Sequence, residues 1–474
     1  MNPESIEQLL IGLLAFSVFA FATFTSGHAL LYKRDTRAVI GWVGLIILLP
    51  LIGAILYWML AVNRVRHRAI ALRQRVAAPG RTKPVAAVSP PPELAPLARV
   101  GDQVTPFTVC GGNSIEPLEN GDEAFPPMLQ AINTAQRSIA LSTYIFDNDE
   151  IGGQFADALI AAQARGVAVR IIIDGIGQHY SWPSMIKRLR KSGLAAAAFM
   201  PILIPKNMAV LNLRNHRKLL VVDGTEAFTG GMNIRDGNLL SKPSKHPIRD
   251  LQFRVRGPVV VQLMDVFASD WTFVTGETLA GDGWFPPVDQ AGTLAARTIP
   301  DGPDEHFEVL KMILLGALAQ ATRSVRIATP YFLPDSSMIS ALNTTALRGI
   351  DVDILLPEKN NLRLVQWASF PLYSQLLERG CRIWHSPPPF DHSKVVLVDD
   401  AWSLVGSTNW DPRSLRLNFE LNLECYDKAL NVKMQKWFER RREVATAITG
   451  AEVRSRSLPL RLRDGAARLL SPYL

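Results

Sequence analysis

The sequence predicts an α/β protein, with two similar α/β lobes related by pseudo-two-fold symmetry and preceded by a two-helix transmembrane hairpin. Three observations carry this reading: two long apolar stretches near the amino end, an internal repeat, and one His/Lys/Asp pattern that occurs twice in the same frame. With 474 residues and 48% hydrophobic content the chain can bury one large core or two medium ones, which excludes wholesale disorder.

The hairpin comes first, over residues 1–65. From Leu9 to Leu31 the only polar residues are Ser17, Thr23, Thr25, Ser26 and His28, with glycines at Gly12 and Gly27. From Val39 to Val62 the only ionisable side chain is Tyr57. Each stretch reaches the ~20 residues that cross a bilayer core as a helix. A cleaved signal peptide fits less well, because Glu4 and Glu7 make the leading segment acidic and a second apolar stretch follows at once. Arg64, Arg66, Arg68, Arg73 and Arg75 follow the second stretch and favour a cytoplasmic carboxy-terminal side, although Lys33, Arg34 and Arg37 between the stretches pull the other way. The expected arrangement is multi-pass, with the rest of the chain on the cytoplasmic side of the membrane.

Residues 66–104 read as a basic, Pro/Ala-rich linker, with Pro79, Pro84, Pro90, Pro91, Pro92 and Pro96 and no apolar periodicity. The net charge of +8 favours an anionic partner, nucleic acid or acidic lipid. Three cysteines, Cys110, Cys381 and Cys425, show neither a disulfide framework nor metal-ligand spacing. No metal and no cofactor is expected.

The repeat defines a first half over 105–290, a second over 291–450 and a basic amphipathic tail over 451–474. RSIALSTYIF from Arg137 matches RSVRIATPYF from Arg323. ARGVAVRIIID ending at Asp174 matches LRGIDVDILLP ending at Pro357. Each unit is a β-branched run, a helical stretch ending at Gly166 or Gly349, and a second apolar run, which is βαβ alternation. Two such halves make a pair of packed α/β lobes.

The repeated motif is NHRKLLVVDGTEAFTGGMN, Asn215 to Asn233, and DHSKVVLVDDAWSLVGSTN, Asp391 to Asn409. His216, Lys218, Asp223, Gly230 and Asn233 recur in step as His392, Lys394, Asp399, Gly406 and Asn409. A single HxKxxxxD is a weak signal, and a lone histidine is usually a surface or satisfied core residue. The matched frames inside an independent repeat are what argue for one site. On a strand, His and Lys two apart share a face and can reach one ligand, while Arg217 or Ser393 points away. Asn233 and Asn409 can donate amides to a phosphate oxygen, with the preceding glycines permitting close approach. Asp223 and Asp399 suit a catalytic place or a strand-end turn equally. Asp250 and Glu420, at matching places after each motif, are candidates for fixing the histidine tautomers.

These paired motifs resemble the phospholipase D superfamily. TPYFLPD at Thr329, VGSTNWDPRS at Val405 and RLNFELNLECYD at Arg416 are similar to bacterial cardiolipin synthases, as are IRDLQFRVRGP at Ile248 and ILLPLIGAILYWML at Ile47. The resemblance covers nearly the whole chain. It implies phospholipase D-like lobes, metal-independent phosphoryl exchange through a phosphohistidine, His216 as nucleophile and His392 as acid/base. It also implies phosphatidylglycerol and an anionic phospholipid membrane as partners. Hydrolysis to phosphatidic acid, or a membrane-tethered nuclease, remain alternatives of the same superfamily, but no aromatic stacking elements for nucleic acid are identifiable. Asp391 departs from the family, where an apolar residue is expected; a carboxylate there would raise the pKa of His392 or repel an anionic headgroup. Before the first motif, FMPILIPKNMAVLNL from Phe199 to Leu213 adds apolar surface, which reads as a membrane-facing lip or a buried connection.

Overall fold

The computed structural model describes residues 3–33, 36–58, 87–200, 213–303 and 307–471. The chain divides into two compact units, Met1–Arg68 and Ala69–Leu474. Most of the apolar insert before the first motif, the basic cluster from Arg64 to Arg75 and the first part of the linker lie outside the described residues.

In the amino-terminal unit the helix Pro3–Tyr32 is apolar over Glu4–Tyr32, and among the described residues it is the one helix long and apolar enough to cross a membrane. The second apolar stretch is not one helix. It forms Thr36–Leu48 and Pro50–Leu56, with Leu49 between them at φ −135° and ψ 75°. Pro50 lacks the N–H that would continue the helical ladder and drives the residue before it out of the α region. The chain then doubles back: the Tyr57 ring lies 5.6 Å from that of Trp42, and a Cβ on Gly53 would meet the Leu45 carbonyl oxygen at 2.6 Å. A 13-residue helix measures about 20 Å, too short for a hydrocarbon core of about 30 Å. The returning leg is tied to the first helix by Tyr57 Oη to His28 Nδ1, 2.8 Å, and by Trp58 Nε1 donating to Thr25 Oγ1, 2.9 Å.

The second unit holds both halves. The first contributes β1 (Cys110–Glu119), β2 (Ser138–Thr143), β3 (Ala168–Asp174), β4 (Ala195–Phe199), β5 (Arg214–Asn215), β6 (Leu219–Val222), β7 (Glu226–Gly230), β8 (Ile248–Arg249) and β9 (Leu251–Arg256). The second contributes β10 (Leu294–Asp301), β11 (Ser324–Ala328), β12 (Asp351–Pro357), β13 (Arg382–Ser386), β14 (Phe390–Asp391), β15 (Val395–Val398), β16 (Trp402–Gly406), β17 (Asn418–Tyr426) and β18 (Thr446–Ile448). The first half runs β4-β3-β2-β6-β7-β9-β1, and the second runs β13-β12-β11-β15-β16-β17-β10 with β18 added at its edge. β1 and β10 meet antiparallel at Cys110–Ala296 and Asn113–Leu294, joining the halves into one continuous sheet.

In each half the first three repeat strands are parallel, β2-β3-β4 and β11-β12-β13. Parallel neighbours need crossover helices, and Glu150–Ala164 and Ser336–Leu347 supply the matched pair. Gly166 and Gly349 follow them in the left-handed region, at φ 91° and 83°, which ends each helix cheaply because glycine has no Cβ to clash. Each half has its own apolar core, around Ile139, Phe155 and Ile171 in the first and Ile327, Leu342 and Ile354 in the second.

The expected linker ends earlier than position 104. Pro92 and Pro96 sit in the first turns of short helices, where proline's missing N–H costs nothing, and Leu97 is fully buried in the second core. The tail is likewise folded, as helices Gly450–Arg454 and Leu458–Leu469.

Candidate active site

The two-residue strands before each motif pair across the halves. β5 runs parallel to β17, so the His216 N–H donates to the Phe419 carbonyl at 2.9 Å. β14 runs parallel to β8, so the His392 N–H donates to the Arg249 carbonyl at 2.8 Å. Each histidine is therefore held by the backbone of the other half, and the imidazoles face one another at 6.4 Å between ring centroids, 82° apart in plane.

The carboxylates follow the same exchange. Nδ1 of His216 lies 2.9 Å from Glu420 Oε2, and Nδ1 of His392 lies 2.8 Å from Asp250 Oδ2. With Nδ1 occupied, Nε2 is the nitrogen left for chemistry on each ring. Glu420 is further fixed by Ser407 Oγ at 2.5 Å and Asn418 Nδ2 at 3.1 Å, while Asp250 accepts the Leu251 N–H at 2.9 Å.

Lys218 and Lys394 lie buried between the strands. Nζ of Lys218 donates to the His216 carbonyl at 2.6 Å, Nζ of Lys394 donates to the His392 carbonyl, and Lys394 also lies 2.8 Å from Nδ1 of His392. Burial lowers all four basic groups: His216 falls below its ordinary value, His392 to about 3 with Lys394 adding to the effect, Lys218 to about 7 and Lys394 to about 8. Burial alone would raise Glu420, but His216 beside it holds the carboxylate below its usual range. At neutral pH both imidazoles are thus neutral, each backed by a carboxylate, with two lysines poised near half-charge or above.

Asn233 spends its Oδ1 on the Ile145 N–H, 3.1 Å, and Asn409 donates Nδ2 to Ser414 Oγ, 3.1 Å. Both lie just past the ends of β7 and β16, where Gly230 and Gly406 allow the close approach: a Cβ there would meet the Leu251 and Leu421 carbonyl oxygens at 2.5 Å and 2.4 Å. Of the intervening residues, Arg217 is turned to a partner of its own. Arg217 pairs with Asp270 through two contacts of 2.6 Å.

Asp223 and Asp399 are not brought to the histidines. Each stands a whole strand beyond its histidine, about 20 Å along extended chain. There Asp223 accepts the N–H groups of Gln136, Arg137 and Ser138, and Asp399 those of Thr322, Arg323 and Ser324. Both adopt left-handed backbone, φ 52° and 49°, and lock the turn against the start of β2 or β11. Of the two readings the motif allowed, the turn is the one the hydrogen bonds describe.

Asp391 does not act on His392 either. Its Oδ1 accepts the Ser393 N–H at 3.0 Å, as Asn215 does for Arg217 at 3.1 Å, and its Oδ2 pairs with Arg441 at 3.0 Å. The expected rise in the His392 pKa is replaced by a fall.

Two aromatic walls escaped the motif reading. The Tyr144 ring lies 5.3 Å from that of His216, with Lys218 Nζ 5.5 Å from its centroid, and the Tyr331 ring lies 6.0 Å from that of His392. Both belong to the repeat, yet Tyr144 aligns with Pro330 and Tyr331 with Ile145, so matching by position passes over them. Among the described residues no group of three or more His, Cys, Asp or Glu is placed to hold a metal ion.

The match to the family model described as cardiolipin synthase, PLD-like domain, covers residues 128–271 and 314–442, one segment in each half. The chain is 31% identical to a cardiolipin synthase of Geobacillus kaustophilus over 99% of its own length and 95% of the relative's. It is 35% identical to the major cardiolipin synthase of Bacillus subtilis over 76% of each chain. Among solved structures, phosphatidylserine synthase of Haemophilus influenzae superposes with a TM-score of 0.61 at 16% identity, over 80% of this chain and all of that one, a likeness of fold. With both halves of the site matched and relatives aligned along nearly the whole sequence, the chain belongs to the cardiolipin synthase family of the phospholipase D superfamily.

Proposed function

We propose that the protein joins two phosphatidylglycerol molecules into cardiolipin and releases glycerol. The observation that carries this is the facing pair of imidazoles, each with Nδ1 tied to a carboxylate of the other half. Nε2 of His216 attacks the phosphorus of the first phosphatidylglycerol, and the bond to its glycerol oxygen breaks as His392 delivers a proton to that oxygen. The bound phosphodiester anion favours the protonated form of His392 needed for this step. His392 then removes the proton from a glycerol hydroxyl of the second phosphatidylglycerol. That oxygen takes the phosphatidyl group from His216, leaving both rings as they began. Lys218, Lys394 and the amides of Asn233 and Asn409 hold the phosphate oxygens as charge develops. On this reading the halves act as lobes related by pseudo-two-fold symmetry, sharing one site.

Phosphatidylglycerol vesicles incubated with the purified protein and chelator, followed by resolution of the lipids, test the proposal. Cardiolipin with equimolar glycerol is expected. Phosphatidic acid alone would make the protein a hydrolase, and neither product would sink the reading.

The membrane reading is refined by the broken second stretch. With Pro3–Tyr32 as a single span of the cytoplasmic membrane and residues 36–57 as a re-entrant helical hairpin, Lys33, Arg34 and Arg37 fall on the same side as Arg64, Arg66 and Arg68. That side is the cytoplasm by the positive-inside rule, and it carries the catalytic unit; the acidic end with Glu4 and Glu7 lies outside. Ser5→Cys should react with a membrane-impermeant maleimide added to intact spheroplasts. Protection until lysis would restore two complete spans.

A further inference from the structure

The helix Leu458–Leu469 packs along the helix Arg363–Leu377. The Arg456 guanidinium lies 3.8 Å from the Phe370 ring centroid and that of Arg463 lies 4.3 Å from Trp367, so the later residue meets the earlier one and the helices run antiparallel. Arg363–Leu377 begins two residues after Asn361, whose Oδ1 accepts the Tyr331 hydroxyl at 2.9 Å, and the Tyr331 ring stands beside His392. The carboxyl end of Leu458–Leu469 therefore lies toward the rim of the active site.

The buried side of this helix is satisfied: Asp464 pairs with Arg456 and Arg463, each at 2.6 Å, and Ala467 enters the core. The outer side is not. Leu458, Leu462 and Leu469 fall within one narrow stripe at 3.6 residues per turn and are 65%, 64% and 79% exposed. Leu362 and Leu364, at the adjoining end of the partner helix, are exposed as well. Arg461 and Arg468 lie together along one side of the stripe, exposed and without an ion pair among the described residues. Apolar surface bordered along one side by unpaired guanidinium groups matches the boundary between headgroup phosphates and acyl chains: leucines enter the chains while each arginine forks onto phosphate. A second copy fits less well, because a two-fold contact through this stripe would set the arginines of one copy against those of the other.

We propose that the outer face of Leu458–Leu469 is the surface by which the catalytic unit rests on an anionic phospholipid bilayer, setting the rim of the site at headgroup level. This rests on the lipid phosphodiester chemistry proposed above. The three native cysteines are buried, so Leu462→Cys in the full chain can be labelled selectively with a polarity-sensitive fluorophore. In nanodiscs of mixed phosphatidylcholine and phosphatidylglycerol, blue-shifted emission quenched by spin-labelled acyl chains is expected, and both signals should weaken when Arg461 and Arg468 become glutamine. Changing Leu458, Leu462 and Leu469 together to serine should cut turnover of bilayer phosphatidylglycerol roughly 10-fold and leave turnover of a short-chain soluble phosphatidylglycerol unchanged. Aqueous emission in these nanodiscs, or equal losses on the two substrates, would overturn the proposal. So would a probe buried in detergent dimers regardless of lipid, which would assign the face to a second copy. A lipid-quenched probe on a protein that makes no cardiolipin keeps the docking face and removes only the functional reading.

Discussion

Nδ1 of His216 and Oε2 of Glu420 lie 2.9 Å apart although 204 residues separate them in the chain. On the proposed mechanism the carboxylate holds the proton on Nδ1 and leaves the Nε2 lone pair for attack. Glu420→Gln keeps the shape but can present an NH2 group to Nδ1, which favours the wrong tautomer. A loss in kcat of about 10²-fold or more, with little change in KM, is expected from steady-state kinetics. A variant that turns over at the normal rate with normal pH dependence would leave Glu420 without a tautomer-fixing role.

His216→Ala and His392→Ala should each lower kcat by several orders of magnitude, because nucleophile and acid/base act as one unit. Rapid quenching of labelled phosphatidyl lipid in alkaline detergent, in which a phosphorus–nitrogen bond survives, should trap label on protein in the His392→Ala variant and not in the His216→Ala variant. The reverse pattern would exchange the two roles.

The lysines set the alkaline limb. Lys218, lowered to about 7, and Lys394, lowered to about 8, are charged below those values and neutral above them. Phosphate affinity should therefore fall as pH rises, and kcat/KM, which reports the free enzyme, should decline through pH 7–8. Lys218→Arg, if it still turns over, should shift that limb upward, since arginine stays charged. A kcat/KM flat to about pH 9 contradicts the assignment.

Asp399→Ala should cost stability rather than chemistry. It removes the acceptor for three backbone N–H groups and leaves a Cβ residue at φ 49°, a loss of about 2–4 kcal/mol. Asp399→Gly should recover about 1 kcal/mol of that, because glycine takes the left-handed region freely. Denaturant melts give both values, and kcat per folded molecule should stay near normal. A collapse of kcat in a fully folded Asp399→Gly variant would return the residue to the catalytic step.

Turnover should persist in EDTA, because two lysines supply positive charge at the phosphate and the leaving oxygen has a proton donor in His392. The measurement needs a substrate dispersed without divalent cations. Activity restored only by magnesium, on soluble and bilayer substrate alike, would contradict it.

The paired histidines are legible in the sequence because two signals agree, the repeat and the frame within it. Asp250 and Glu420 are legible as a matched pair. Which carboxylate serves which histidine is not, since that is decided by β5 on β17 and β14 on β8, strands of two residues too short to show a period. Asp223 and Asp399 share the motif with the histidines, yet sequence spacing cannot say that a buried strand carries them to the far end of the sheet. Hydropathy finds the second apolar stretch but counts residues along a line, whereas Pro50 turns that line back. Pro92 and Pro96 mislead in the opposite sense: read as a tether, they start helices.

The exchange of histidine supports between the halves has a consequence for biosynthesis of the enzyme itself. Each imidazole takes its carboxylate from the other half, so on the proposed mechanism a chain whose halves are not yet docked lacks the support that its nucleophile needs. On the proposed mechanism, reactivity toward lipid requires both halves to be docked, because each histidine takes its carboxylate and its backbone partner from the other half. The geometry that makes the enzyme active thus also keeps unfinished copies chemically silent.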